Sequence, residues 1–156
     1  MSQIPALRCR LSCCVDDLSK YFASLRLQLN SSKTDFIWFG TKSNLAKIQP
    51  PHKSLSVCSS VVSCSEVVRD LGVFLDSELS TKKHVSNVAS VCFYHLRRLR
   101  QLRNCVSQSL MAQLVTSLVI SRLDSCNSAL AGLPISTIAP LQRVQNAAAR
   151  LVLGLD

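Results

Sequence analysis

Asp16 and Asp17 form an adjacent pair of carboxylates, and paired carboxylates can hold the divalent ions that assist phosphoryl transfer. A catalytic turn of that kind needs a strand on each side. The residues around this pair instead carry Val15, Leu18 and Phe22 at the spacing of an amphipathic helix. We therefore predict that the two aspartates lie in the first turn of a helix, where acidic side chains complement the helix dipole, and we predict no catalytic residue.

Thiols and imidazoles are the next candidates for chemistry. The eight cysteines include no CxxC pair, and Cys92 with His95 supplies two metal ligands at a helical i, i+3 spacing without a second pair. We expect no metal site, no cofactor and reduced thiols.

Arg8 and Arg10 interrupt the N-terminus, and no apolar run reaches the roughly 20 residues of a membrane span, so we expect an intracellular protein, nuclear or cytoplasmic, without a membrane partner.

Basic side chains give the strongest signal for binding. Residues 80 to 156 carry nine basic and two acidic residues, against nine and seven in residues 1 to 79. Between Lys82 and Arg122 the sequence has no acidic residue that would pair with the cations locally. Such a surface attracts phosphate backbones or acidic partners. The candidate contacts in this half are Lys82, Lys83, Arg97, Arg98 and Arg100.

The sequence predicts a mixture of helix and strand in the first half of the chain. Apolar periodicity predicts a helix from about Ser12 to Leu27, and the continuous apolar run at residues 36 to 39 predicts a buried strand ended by Gly40. A brief polar helix over residues 41 to 49 should stop at the prolines that follow. The serine-rich, β-branched stretch at residues 55 to 68 predicts short strands joined by tight turns.

RDLGVFLD, residues 69 to 76, follows these strands. The alternation from Val67 to Leu75 is typical of a strand, and Gly72 within it would let a bulky group approach the backbone.

The sequence predicts three helices in the second half of the chain. The first helix is predicted to begin at Thr81. Its residues Val85, Cys92 and Leu99 belong to one apolar stripe, and the cations are distributed around the rest of the helix. A second apolar helix follows at about residues 109 to 122. The third is expected to begin near Pro140. The fold class predicted from these patterns is α+β, with domains at residues 1–79 and 80–156.

Four segments resemble, in order, the reverse transcriptases of non-LTR retrotransposons, the LINE-like elements of the jockey and chicken-repeat type. They are LNSSKTDFIWFG (29 to 40), RDLGVFLD (69 to 76), SRLDSCNSALAGLP (121 to 134) and LQRVQNAAARLVLG (141 to 154). The resemblance implies a partial polymerase palm in residues 1–79, with a primer-gripping hairpin at RDLGVFLD. It implies a three-helix, thumb-like bundle in residues 80–156.

The resemblance also implies roles for single residues. It puts Lys33 beside the phosphates of an incoming nucleotide and Gly72 at the primer strand, and it implies an RNA or RNA–DNA template-primer duplex as partner. The family's catalytic aspartates lie before the KTD-like segment, and the pair at Asp16 and Asp17 does not fit their pattern. The chain therefore resembles a polymerase fragment that is inactive alone, and Mg²⁺ is implied only for the complete parent polymerase.

Two alternatives stay open. The helices can instead form a basic interaction module for an acidic protein, or the chain can be a retroelement relic with no nucleic-acid role. A palm sheet without its central strands would also expose an unpaired edge, which predicts self-association and low solubility.

Overall fold

The computed structural model describes residues 3–125 and 127–155. The fold is mixed α+β, as the sequence predicts, with two small antiparallel sheets among helices. The chain divides into two compact units, which we call the N-terminal unit (residues 1–80) and the helical unit (residues 81–156). Across the described residues, no helix is long and apolar enough to cross a lipid bilayer.

Helix α1 (Gln3–Ser24) opens the N-terminal unit and begins nine residues before the predicted start near Ser12. Pro5 does not prevent this, because backbone N–H groups in a first helical turn have no intrahelical acceptor. The helix ends before Arg26, whose φ of 58° is left-handed. No side chain of α1 is fully buried, although Leu11 and Val15 pack against the small core of this unit.

The predicted strand at residues 36 to 39 is wrong. Phe36 makes a single parallel bridge to Cys64, and its carbonyl accepts the Ser65 N–H at 2.7 Å. Phe36 is nonetheless buried, and the Trp38 indole donates to the His52 carbonyl at 2.9 Å. An apolar run becomes a strand only where neighbouring strands pair with it along its length, and here one bridge is all the pairing it finds among the described residues.

Short elements lead from this run to the first hairpin. Helix α2 (Lys42–Leu45) is briefer than predicted, and the prolines after it lie in a single 3₁₀ turn (Pro50–His52). Strands β1 (Ser54–Val57) and β2 (Ser60–Ser63) then pair antiparallel, as the β-branched stretch predicts. Leu55 and Val57 of β1 form the buried core of the unit with Phe36.

RDLGVFLD folds as a hairpin rather than as one strand. Strands β3 (Val67–Asp70) and β4 (Val73–Asp76) pair antiparallel, and Leu71 and Gly72 make the two-residue turn with φ angles of 46° and 91°. The predicted alternation therefore breaks at Leu71, which lies at the tip and is 96% exposed. Two consecutive positive φ angles are typical of the tight turns that match strand twist, and this geometry explains the glycine at position 72.

Helix α3 (Lys82–Leu102) begins the helical unit and carries the predicted apolar stripe on its buried side. A histidine is buried together with this stripe, since His84 is only 4% exposed. It lies beside Val85 at the start of the stripe, so the helix buries a wider face than the apolar residues alone indicate.

The second helical element is not one regular helix. Helix α4 (Gln108–Val115), capped by the Ser107 hydroxyl, passes through a π-helical turn (Thr116–Ile120) into α5 (Ser121–Asp124). Its buried residues Met111, Val115, Val119 and Leu123 recur every four positions. On a regular α-helix that spacing drifts by about 40° at each step. The wider π turn offsets this drift and keeps all four side chains on the core.

Helix α6 (Asn127–Leu130) and helix α7 (Ile135–Leu153) complete the unit. The predicted start near Pro140 is wrong, because Pro134 precedes the first turn and Pro140 lies inside the helix. Helix α7 packs mainly against α3. Among the described residues, eleven form the shared core of α3, α4, the π turn, α5 and α7: Ala89, Cys92, Leu96, Leu99, Met111, Val115, Val119, Leu123, Val144, Ala148 and Leu151.

Candidate nucleic-acid interface

A groove of about 270 Å³ between α3 and α7 gathers most of the arginines of the helical unit. Arg97, Arg100 and Arg103 line it from the end of α3, where steps of three residues keep them on one flank of the helix. The apolar stripe of α3 holds this flank in position, because Leu96 and Leu99 fix the rotation of the helix against the core. The result is a row of three guanidinium groups along one edge of the groove.

Arg150 of α7 supplies the fourth guanidinium from the opposite side. The helix ends just after it, at Gly154, whose φ of 80° is left-handed. The N–H groups of Gly154 and Leu155 both donate to the Arg150 carbonyl, at 2.8 and 2.9 Å. This turn folds the chain back so that Leu155 also lines the groove.

Gly154 also makes room for an arginine of the facing helix. A Cβ atom added at this position would overlap the Arg103 guanidinium. Arg103 therefore lies against the backbone of Gly154, and the positive φ favours glycine here.

The rest of the groove is apolar. Leu96 and Leu151 form its floor, and Phe93, which is 36% exposed, stands at the edge one turn before Arg97. None of the described residues that line the groove is acidic. Guanidinium groups around an exposed aromatic ring suit an anionic ligand that also has a flat apolar face.

Arg98 lies outside this groove. Its guanidinium stacks over the Tyr94 ring with a centroid distance of 5.6 Å and donates to the Tyr94 hydroxyl at 3.0 Å. Both residues are exposed on another side of α3. Of the three arginines predicted from the sequence, Arg97 and Arg100 come together and Arg98 does not join them.

Lys82 and Lys83 lie at the beginning of α3, about 22 Å along the helix from Arg97 at 1.5 Å per residue. Lys82 borders a shallow depression with Ser136 and Thr137 of α7, and Lys83 is exposed. The two lysines therefore form no single site with the arginines. A long strand would have to follow α3 to contact both ends.

Lys33 and Gly72 belong to the N-terminal unit. Lys33 is exposed and ends a 3₁₀ turn (Ser31–Lys33) that the Asn30 side chain caps. A Cβ atom on Gly72 would meet nothing within 4 Å, so among the described residues no neighbour demands a glycine there. Their predicted contacts with nucleotide and primer stay predictions.

Asp16 and Asp17 lie in the middle of α1 and are exposed. The prediction that they occupy a first helical turn is wrong, because the helix starts at Gln3. Asp17 instead forms an exposed ion pair with Lys20 at 3.7 Å. The resemblance to reverse transcriptases implies a turn between two strands for the catalytic aspartates, and a continuous helix through both residues does not have that geometry.

Cys92 and His95 do not form part of a metal-binding cluster within the described ranges, where no three or more His, Cys, Asp or Glu side chains gather in a suitable arrangement. Cys92 is fully buried, and its thiol donates to the Val119 carbonyl of the π turn at 3.8 Å. Burial raises the pKa of the Cys92 thiol, and the positive charge of Arg122 opposes that shift. The cysteine thus acts in packing.

Comparisons with protein-family models, curated proteins and solved structures find no match to this chain. The likeness to non-LTR reverse transcriptases therefore rests on the four sequence segments.

Sequence reasoning missed Phe93, Arg103, Arg150 and Leu155 of the groove. Arg103 continues the three-residue steps of Arg97 and Arg100, so that spacing is a signal that identifies it. Arg150 gives no such signal, because its place depends on how α7 packs against α3.

Proposed function

We propose that the helical unit binds the phosphate backbone of RNA or of an RNA–DNA duplex, as the thumb-like part of a non-LTR retrotransposon reverse transcriptase. In this proposal the N-terminal unit is the late palm, and its β3–β4 hairpin contacts the primer strand through Gly72. Lys33 is the proposed contact for nucleotide phosphates.

The observation that carries the proposal is the convergence of four arginines on one groove. Arg97 and Arg100 come from α3, Arg103 directly follows that helix, and Arg150 comes from α7, with no acidic residue among the described lining residues. Guanidinium groups bind phosphate oxygens in pairs and remain charged at every physiological pH. Contacts of this kind are strong at low salt and largely independent of base sequence.

The proposed role is binding and does not include nucleotide addition by this chain alone. Two-metal catalysis needs carboxylates that converge on a pair of ions. Asp16 and Asp17 lie instead on the exposed surface of a helix. Mg²⁺ belongs, in this proposal, to the complete parent polymerase.

The test is the salt dependence of binding to a blunt RNA–DNA duplex. The triple variant has Arg97, Arg100 and Arg150 changed to Gln. We expect its slope of log affinity against log salt to be flatter by about three, close to one for each lost phosphate contact. Lys20, Lys42 and Lys47 changed to Gln make a matched control, since these exposed residues of the N-terminal unit carry the same total charge. An unchanged slope in the arginine variant would remove the groove from the binding surface.

Competition with heparin distinguishes this proposal from a general basic interaction module. A thumb-like surface should prefer the geometry of the duplex over a flexible polyanion of equal charge. Equal affinity for both would favour the interaction module, whose partner would be an acidic protein.

A further inference from the structure

We infer that the groove between α3 and α7 holds one unpaired nucleotide, with its phosphate on the arginines and its base against Phe93. The inference rests on the proposed function and goes further, because backbone binding alone needs no pocket and no aromatic ring. It assigns to this groove a ligand with two different parts, and the groove has a matching part for each.

The size of the groove suits a single nucleotide. About 270 Å³ lies just below the roughly 300 Å³ at which small-molecule sites begin, and this space can take one base or sugar. A base can reach it only when it is unstacked from its neighbours. Unpaired ends and single-stranded overhangs meet this condition at the lowest cost in stacking energy.

The chemistry of the lining favours a nucleotide over a simple anion. Phosphate alone would be satisfied by the guanidinium groups, but Phe93 and Leu155 remain exposed at the same groove, and Leu155 is held there by the turn at Gly154. A base offers a flat face for the Phe93 ring while its phosphate stays near Arg97, one helical turn further on. Proteins that bind single strands combine a cationic groove and an aromatic platform in this way.

The test uses the full chain and two RNA–DNA duplexes of equal length, one blunt and one with a three-nucleotide single-stranded overhang, measured by fluorescence anisotropy. We expect the overhang to raise affinity about fivefold or more, the effect of stacking one base on an aromatic side chain. An overhang of abasic residues keeps the phosphates and removes the bases, and it should bind like the blunt duplex.

Phe93→Ala should abolish the overhang preference, measured as the ratio of the same variant's affinities for the two duplexes, whereas Phe93→Tyr should keep the preference because it retains the ring. Tyr94→Ala is the matched control, since Tyr94 is the neighbouring exposed aromatic residue and faces away from the groove. Circular dichroism establishes that each variant retains its helices.

The remaining outcomes contradict either the inference alone or the inference together with the proposed function. Salt-dependent binding of the blunt duplex without an overhang preference overturns this inference and leaves the proposed function intact. Equal loss in Phe93→Ala and Tyr94→Ala also overturns it. No salt-dependent binding of either duplex overturns both the inference and the proposed function.

Discussion

The two units are nearly equal in length, but their cores differ. Among the described residues, Phe36, Leu55 and Val57 form the buried cluster of the N-terminal unit, whereas the helices of the other unit share a core of eleven. The difference follows from the elements: long amphipathic helices bury continuous stripes, while two-stranded hairpins leave most of their faces uncovered. We therefore expect the helical unit to be the more stable of the two and better able to hold a site in fixed geometry.

Truncation of a core side chain gives the largest expected effect and tests this comparison directly. Met111→Ala should cost the helical unit about 2–5 kcal/mol, because a buried Met becomes a cavity among well-packed helices. Leu55→Ala should cost near the lower end of that range, because its three-residue cluster can relax around the missing atoms. Hydrogen exchange in the full chain, read separately for α3 and for β1, measures both. If each variant lowers protection equally in both units, the two unfold as one cooperative structure.

Alanine at two glycines should give the next largest effect. Gly72 and Gly154 both have positive φ, so each substitution should cost about 1–2 kcal/mol of backbone strain. Gly154→Ala must in addition displace Arg103, so it should weaken duplex binding at the groove. Gly154→Asn separates the two effects, since Asn tolerates the left-handed backbone but still carries a Cβ atom. Equal binding by the glycine and asparagine forms would show that the approach of Arg103 does not matter.

Acid should selectively weaken the helical unit. Burial lowers the pKa of His84 below its ordinary value of 6.5. At pH values near and below 6.5 the folded state therefore binds fewer protons than the unfolded state. The associated stability is complete above about pH 6.5 and is lost as the pH falls through and below that value. Urea unfolding between pH 5 and 8 should show this loss, and His84→Leu should reduce it. The half-buried His95 gives the control: if His95→Gln reduces the loss equally, the assignment to His84 is wrong.

Substitutions on α1 should have the smallest effect on stability. Leu18 and Tyr21 of α1 and Leu25, directly after the helix, are exposed, so Leu18→Gln should change the free energy of unfolding by less than about 0.5 kcal/mol. The three changed together to Gln should instead reduce self-association, measured by analytical ultracentrifugation. Val15→Gln is the contrast, because Val15 packs against the small core and its loss should destabilise the N-terminal unit. Unaltered self-association of the triple variant would exclude these three residues as its cause.

Periodicity predicted the parts of the fold that local sequence determines. Val85, Cys92 and Leu99 of the stripe on α3 are buried as expected, because a sustained 3.6-residue period selects one helical face, whereas Leu102 at the end of the stripe is 48% exposed. The run at residues 36 to 39 was read wrongly, because a strand depends on partners that local sequence does not reveal. The alternation around Leu71 and Gly72 predicts a continuous strand and does not indicate the turn, since glycine fits both a strand and a left-handed turn.

The residues of the candidate site likewise differ in whether local sequence or tertiary packing determines their position. Arg97 and Arg100 were predicted from one helix, because charge spacing on a single element is visible in the sequence. Arg150 and Leu155 were not, because only the packing of α7 and the turn at Gly154 bring them to the groove.

The π turn at Thr116–Ile120 has a consequence for how the chain tolerates changes in length. Deletion of the exposed Ser117 would change the four-residue spacings of the buried side chains to 4, 3 and 4, the repeat that suits a regular α-helix. We expect this shortened protein to remain folded, by circular dichroism and urea denaturation. Deletion of the exposed Ser90 in the regular helix α3 should unfold the unit, because it rotates every later core residue by about 100°. Equal damage from both deletions would contradict the idea that this helix carries one residue more than its core requires.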